Sequence, residues 1–387
     1  MTAAGDGGAR RVASLRELVE ALCAPACAGR AAGTREGAAA RAVVMQALAS
    51  AGAAPAGEDG YLQPVPACGG ANVVARVRSV VGADAAPAAG ASAGAPATAR
   101  APAGRYVLVG AHYDHLGRAG DGQAYWGADD NAAAVAALVD VAAALAGPRA
   151  KELRRDVLLC AFDAEEPPHF LTGAMGSQHF ARRPLVPLDR IDTMVCLDLV
   201  GHAFGRAGLP EPVRRSLFVL GAEKGRGNGP LVDGVAAGRA GVRARRVGIH
   251  VIPPLSDYHP FAEARVPYLF LTCGRWEHYH QTTDTPERLD YAKLAATADF
   301  LADLVVALSA RPEAPVEFLP EGQDDLATVT SLLDVSRALL PFSAAAAQAV
   351  PFLEALAARA GAEGTLDAET RDTLALLVAS LEAALAA

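Results

Sequence analysis

From Arg105 onward the chain alternates short apolar runs with helical patterns, and this alternation limits its fold more than any other feature. The runs are Tyr106 to Gly110, Val157 to Phe162, Met194 to Leu199, Leu217 to Leu220, Val247 to Ile252 and Tyr268 to Thr272. Continuous apolar strands this short suit a sheet buried on both faces, and helices between them make the pairing parallel or mixed. Val135, Leu138, Val139, Ala142 and Leu145 share one face of a helix, as do Leu294, Ala298, Leu301, Val305 and Leu308. The expectation is a three-layer α/β domain with a mixed, mostly parallel sheet and helices on both faces.

Around that core the patterns are weaker. Residues 1–13 read as a flexible tail, and Ser14-Leu15-Arg16-Glu17 has the form of a capping box that starts a helix through Leu22. A second helix is expected over Glu36 to Ser50 and a strand over Asn72 to Arg78, whereas Ala83 to Ala103 is aperiodic and rich in Ala, Pro, Gly and Ser, as in a long surface loop. The stretch from Arg311 to Pro320 resembles a linker, and three helical stripes follow it: Leu326, Val329, Leu333 and Leu340; Phe352 and Leu356; and Leu374, Leu377, Leu381 and Leu385. The chain therefore divides into a lead-in (1–78), a loop (79–104), a core (105–310) and a C-terminal helical appendage (321–387) that packs on the core or on another subunit.

Composition removes several classes of function. With 35 Lys and Arg against 43 Asp and Glu the formal net charge is −8, and no basic block is present to track a phosphate backbone, so nucleic acid is not an expected partner. No stretch approaches about 18 apolar residues, and MTAAGDGGARR lacks the apolar run of a secretory signal, which predicts a cytoplasmic protein without a membrane span and leaves export open. The six cysteines show no CxxC pairing and read as reduced core thiols, with a disulfide from Cys23 to Cys27 or Cys68 as the alternative.

The chemistry lies where polar residues end the apolar runs, because ligands of an open α/β sheet bind outside the carboxyl ends of its strands. Five such places occur. His112-Tyr113-Asp114-His115 follows the first run, with Asp114 placed to hold the second ring nitrogen of His112 and His115 as the weaker ligand candidate. Asp129-Asp130-Asn131 opens the helix patterned on Val135, where acids are also ordinary helix caps. Glu165-Glu166 ends the second run; one can bind a metal while its neighbour stays free as a base. Asp198 sits among apolar residues, where an acid is seldom buried unless paired or metal-bound. His280 belongs to the polar loop after Tyr268 to Thr272. Two imidazoles and three carboxylates suffice for two neighbouring Zn²⁺ ions if one carboxylate bridges, and the charges balance with one hydroxide.

These motifs, taken in order as HYDHLG, GADDNAAA, FDAEE, LDLVG, SDYHPF and YHQTTDTPERLDY, resemble the co-catalytic two-zinc exopeptidases, a family that includes leucyl-type aminopeptidases, glutamate carboxypeptidases and glutaminyl cyclases. The resemblance runs from about Asn72 to Leu308, with an echo upstream in AGRAAGTREG, and implies the three-layer zinc-exopeptidase fold. It implies that His112 and Asp198 bind one zinc, that Glu166 and His280 bind the other, and that Asp130 bridges them. Asp129 is then a neighbour, Asp114 orients His112, Glu165 is the general base and Tyr279 donates to the tetrahedral oxyanion. Two departures stand out: the insertion Pro167 to Met175 before Gly176-Ser177, with His169 expected to line a pocket wall, and the loop carrying Asp257, His259 and Phe261.

The activity expected is hydrolysis of N-terminal residues from peptides or amino-acyl amides by a metal-bridged hydroxide with two Zn²⁺ per chain. The alternatives are glutaminyl-peptide cyclisation or carboxypeptidase action on the same scaffold and, as a different class, a binding module that has lost catalysis. Oligomerisation through the C-terminal helices is a further expectation.

Overall fold

A computed structural model describes residues 3–79, 104–205, 207–312 and 314–386; the loop expected over Ala83 to Ala103 lies outside these residues. The strands are β1 (Ala54–Pro55), β2 (Leu62–Val65), β3 (Gly70–Val77), β4 (Tyr106–His112), β5 (Asp156–Phe162), β6 (Ile191–Leu197), β7 (Ser216–Leu220), β8 (Arg243–Val247) and β9 (Tyr268–Thr272). They form one sheet in the order β1-β3-β5-β4-β6-β9-β7-β8, with β2 paired to β3. The central strands β5, β4, β6 and β9 run parallel, and antiparallel neighbours flank them on both sides.

Successive residues of the central strands enter opposite cores, as the two-residue period of a strand requires. Val107, Val109 and Ala111 of β4 face one core, while Leu108 enters the other; Leu159 and Cys160 of β5 divide in the same way. The first core is covered by α1 (Ala3–Leu22), α2 (Arg35–Ser50), α3 (Ala133–Ala146) and α4 (Tyr291–Ser309). The second is covered in large part by α5 (Asp325–Leu339), α6 (Ala344–Glu363) and α7 (Ala368–Ala386). This is the three-layer arrangement expected from the alternating runs. No helix among the described residues is long and apolar enough to cross a membrane.

Four local expectations are corrected. The first helix starts at Ala3, not at Ser14: the Ser14 hydroxyl bonds back to the Arg10 carbonyl at 3.2 Å, as a residue inside a helix does. That first half is held by Arg11, whose guanidinium meets Asp140 of α3 at 2.5 Å. The run Val247 to Ile252 is not a strand. The strand there is Arg243–Val247, and its Arg245 is satisfied by Asp334 of α5 at 2.5 Å, so charged residues enter a strand because a helix supplies their partner. The supposed linker is bonded down, with Val316 buried, Leu319 N–H donating to Lys224 O and Arg226 N–H donating to Glu317 O. Among the helical stripes, Val329, Leu333, Leu356, Leu374 and Leu381 are buried, whereas Leu326, Leu340 and Phe352 are exposed. All six cysteines are free and buried.

Candidate metal centre

The parallel strands deliver acids and imidazoles to one place. His112 is the last residue of β4, Glu165 and Glu166 follow β5, Asp198 directly follows β6, and His280 lies on the loop after β9. Asp130 comes from the turn that enters α3. A sheet whose parallel strands end together concentrates ligand-binding groups at that edge. His112, Asp130, Glu166 and Asp198 are buried, and the His280 side chain is 30% exposed, which leaves one side of the cluster reachable from solvent.

Asp130 stands between two groups. Its Oδ1 is 3.4 Å from His112 Nε2, which is also 3.5 Å from Asp198 Oδ1. Its Oδ2 is 3.3 Å from His280 Nε2, and that nitrogen is 3.2 Å from Glu166 Oε2. His115 adds to the second group, with Nδ1 at 2.8 Å from Glu166 Oε1 and 3.9 Å from Asp130 Oδ2. The donor atoms of His112, Asp130 and Asp198 lie within 4.8 Å of one another, and so do those of His115, Asp130 and Glu166.

The residues fit a pair of cations. His112 Nε2, Asp130 Oδ2 and Asp198 Oδ1 are buried without a hydrogen-bond partner. A buried polar atom left so costs about 1–3 kcal/mol, and these three converge on one place. Nitrogen and carboxylate oxygen are the donor types that zinc takes.

The electrostatics agree with that demand for positive charge. Burial opposes protonation of His280, but Asp130 and Glu166 outweigh it and raise the imidazole to about 10. Burial likewise opposes a charge on His112, and Glu165 with the neighbouring aspartates holds it well above the usual histidine range. Burial pushes Glu165 well above the usual carboxylate range, and Glu166 and Asp198 add repulsion. A bound divalent cation is the largest local charge in such a site and reverses these shifts.

Surrounding groups hold the candidate ligands in place. The Asp114 carboxylate accepts the Glu165 and Glu166 N–H groups at 3.0 and 3.2 Å and stands 3.5 Å from His112 Nδ1, so it orders two ligand segments at once. Asp284 accepts the Asp129 and Asp130 N–H groups at 2.9 and 3.1 Å. Asp129 points away from the cluster, bonded to Gly201 N–H and to His202 Nδ1, both at 2.6 Å. Gly127 has φ +56°, and a Cβ there would lie 2.6 Å from the His115 ring and 2.2 Å from Asp130 O, so no side chain fits beneath the turn. Ala164, Leu199 and His280 also have positive φ, a conformation costing L-residues about 1–3 kcal/mol each, and all three adjoin or belong to the cluster.

Sequence reasoning missed or underweighted three of these groups. His115 contacts Glu166 although it lies beyond the strand end. Arg30 is fully buried and donates to the carbonyls of Tyr113, Trp126, Gly127 and Asp130 at 2.5–3.1 Å, tying the two ligand loops together. Asp284, within a motif that sequence reasoning did quote, holds the Asp130 turn. Tyr279 stacks on the His280 ring at 3.9 Å between centroids, with the Arg275 guanidinium 5.1 Å from its own ring centroid. Of the loop marked as unusual, Phe261 is core, His259 is 3.6 Å from Glu263, and Asp257 is fully buried, its carboxyl raised to about 7 by burial.

Comparison with known proteins agrees with this geometry. The model of peptidase family M28 matches residues 95–305. The uncharacterized protein YfbL of Escherichia coli (strain K12) is 28% identical over 227 residues, covering 52% of this chain and 67% of that protein. The LapA aminopeptidase of Legionella pneumophila superposes with a TM-score of 0.55 at 14% identity, over 79% of this chain and 75% of LapA. A leucine aminopeptidase precursor from Bacteroides thetaiotaomicron and a glutaminyl cyclase from Porphyromonas gingivalis each give 0.54, at 17% and 18% identity, each over 76% of this chain and 96% of the other. At such identities the superpositions speak for the fold alone.

Proposed function

The chain belongs to peptidase family M28, and on that premise we propose that it is a two-zinc exopeptidase that releases residues from the free N-terminus of peptides. The observation that carries this reading is the division of Asp130, one oxygen facing His112 and Asp198 and the other facing His280 and Glu166. His112 and Asp198 would hold one ion, Glu166 and His280 the other, with Asp130 shared and His115 bracing Glu166. Two such ions supply Lewis acidity and a nucleophile drawn from water at neutral pH.

The chain's own residues do the rest. Glu165 lies 3.9 Å from His112 Nε2 at the edge of the cluster, in neither donor group, so it is free to take a proton and return it to the leaving amine. Tyr279 faces the same space and would donate its hydroxyl proton toward the carbonyl oxygen as charge develops there. Asp114 and Arg30 fix the candidate ligand segments through their backbone.

The acidic surround favours a substrate with a free amine. Glu165 and Asp257 are buried beside the cluster, where burial raises both carboxyls, and an amine can share its protons with them where a bulkier acylated amine cannot. Amino-acyl amides and short peptides with free N-termini should be hydrolysed at least about 100-fold more efficiently, by kcat/KM, than their N-acetyl counterparts. Equal or better cleavage of N-acetylated peptides with free C-termini would make the protein a carboxypeptidase. Loss of ammonia from an N-terminal glutaminyl peptide without peptide cleavage would make it a cyclase.

A further inference from the structure

Beside the candidate ligand cluster the ends of β7 and β9 and the C-terminal helices line a half-open cavity of about 110 Å³. Asp198 and Tyr279 belong both to the cavity lining and to the candidate metal centre, so the cavity opens on the position where a scissile carbonyl would sit. Its core wall includes Phe218 and Phe270. Its opposite wall is Leu332 and Val335 of α5 with Val378 and Leu381 of α7. These helices lie beyond residue 305, where the match to the family model ends.

A concave, mostly apolar space beside a cluster of polar groups is the usual form of a small-ligand site. Cavities of roughly 150 Å³ lined by Leu, Ile and Phe take up a benzene ring. A space of 110 Å³ with comparable walls accommodates a single branched aliphatic side chain. The wall is also fixed relative to the reacting atoms. The Glu382 carboxylate of α7 reaches the Gly274–Arg275 backbone, the start of the loop that carries Tyr279 and His280.

We propose that α5 and α7 form the specificity wall of the substrate pocket, which takes one leucine-sized apolar side chain from the residue whose carbonyl is attacked. The proposal rests on the peptidase reading of the metal centre. It turns the C-terminal segment from a packing appendage into part of the substrate site.

The test is the ratio of kcat/KM for leucine amide to that for alanine amide, measured on the full-length zinc-loaded protein. This ratio does not depend on the fraction of molecules that fold. Val378→Phe, at a half-buried position that leaves room for the ring to be built, should lower the ratio at least about tenfold by filling the pocket, and Leu381→Ala should shift preference toward phenylalanine amide by a similar factor. Ratios unchanged in both variants, with hydrolysis intact, would overturn the wall while leaving the peptidase reading standing. Failure of the unmodified protein to hydrolyse any amino-acyl amide would overturn both.

Discussion

Glu165 and Glu166 are neighbours in the chain with different surroundings. Glu166 faces His280 at 3.2 Å and His115 at 2.8 Å, whereas Glu165 has no imidazole nearer than 3.9 Å and is pushed upward by burial. The difference predicts that Glu165→Gln keeps its metal and fold while kcat falls by roughly 10²–10⁴, the usual contribution of a positioned proton carrier. Zinc lost in that variant would mean that the two glutamates exchange roles. His112, Glu166 and Asp198 were legible because each interrupts or closely follows an apolar run, where an unpaired acid or imidazole has no structural reason to be, whereas Asp130 and His280 were legible only through the motifs that hold them. His115 and Arg30 were not legible in the same way. Arg30 acts on Tyr113, Trp126 and Asp130 across about a hundred residues of sequence, and no local pattern encodes a contact that only the folded chain creates.

Strand β8 shows what the elements add. Its RARRV sequence has no apolar run, yet it forms because Asp334 and Asp324 of the C-terminal segment meet Arg245 and Arg246. The apolar stretch just after it was the misleading signal; Ile249–Val251 is instead a single helical turn whose Ile249 N–H donates to Glu223 at 2.8 Å. Glu223 is thereby buried with its second oxygen unbonded, and burial raises its carboxyl to about 7. An acid whose folded pKa exceeds its unfolded value binds its proton more tightly when folded. Its contribution is therefore complete below about pH 4.5 and is lost as pH rises through 7, a change on the order of 3 kcal/mol. Denaturant unfolding should show the unmodified protein losing more stability between pH 5 and pH 8 than Glu223→Gln does. Parallel pH curves for the two would remove Glu223 as the source. The central strands and α3 and α4 were legible because burial on both faces leaves continuous apolar runs and regular stripes. Exposed Leu326 and Leu340 fit the same stripe by spacing but lie where α5 faces solvent.

At the scale of the molecule, the sheet separates two cores, and the candidate metal centre sits where its parallel strands stop between them. One core locks α1, α2, α3 and α4 behind the ligand turns. The other docks the C-terminal helices beside the site, where they line the apolar cavity next to Asp198 and Tyr279. The whole arrangement presupposes that the converging imidazoles and carboxylates hold two ions through Asp130. Elemental analysis of protein purified without chelator and under zinc-replete conditions tests this most directly. The account predicts about two zinc ions per chain, and close to none after Asp130→Ala, because removing the shared carboxylate dismantles both sites. One zinc or none in the unmodified protein, or two retained by Asp130→Ala, would contradict it.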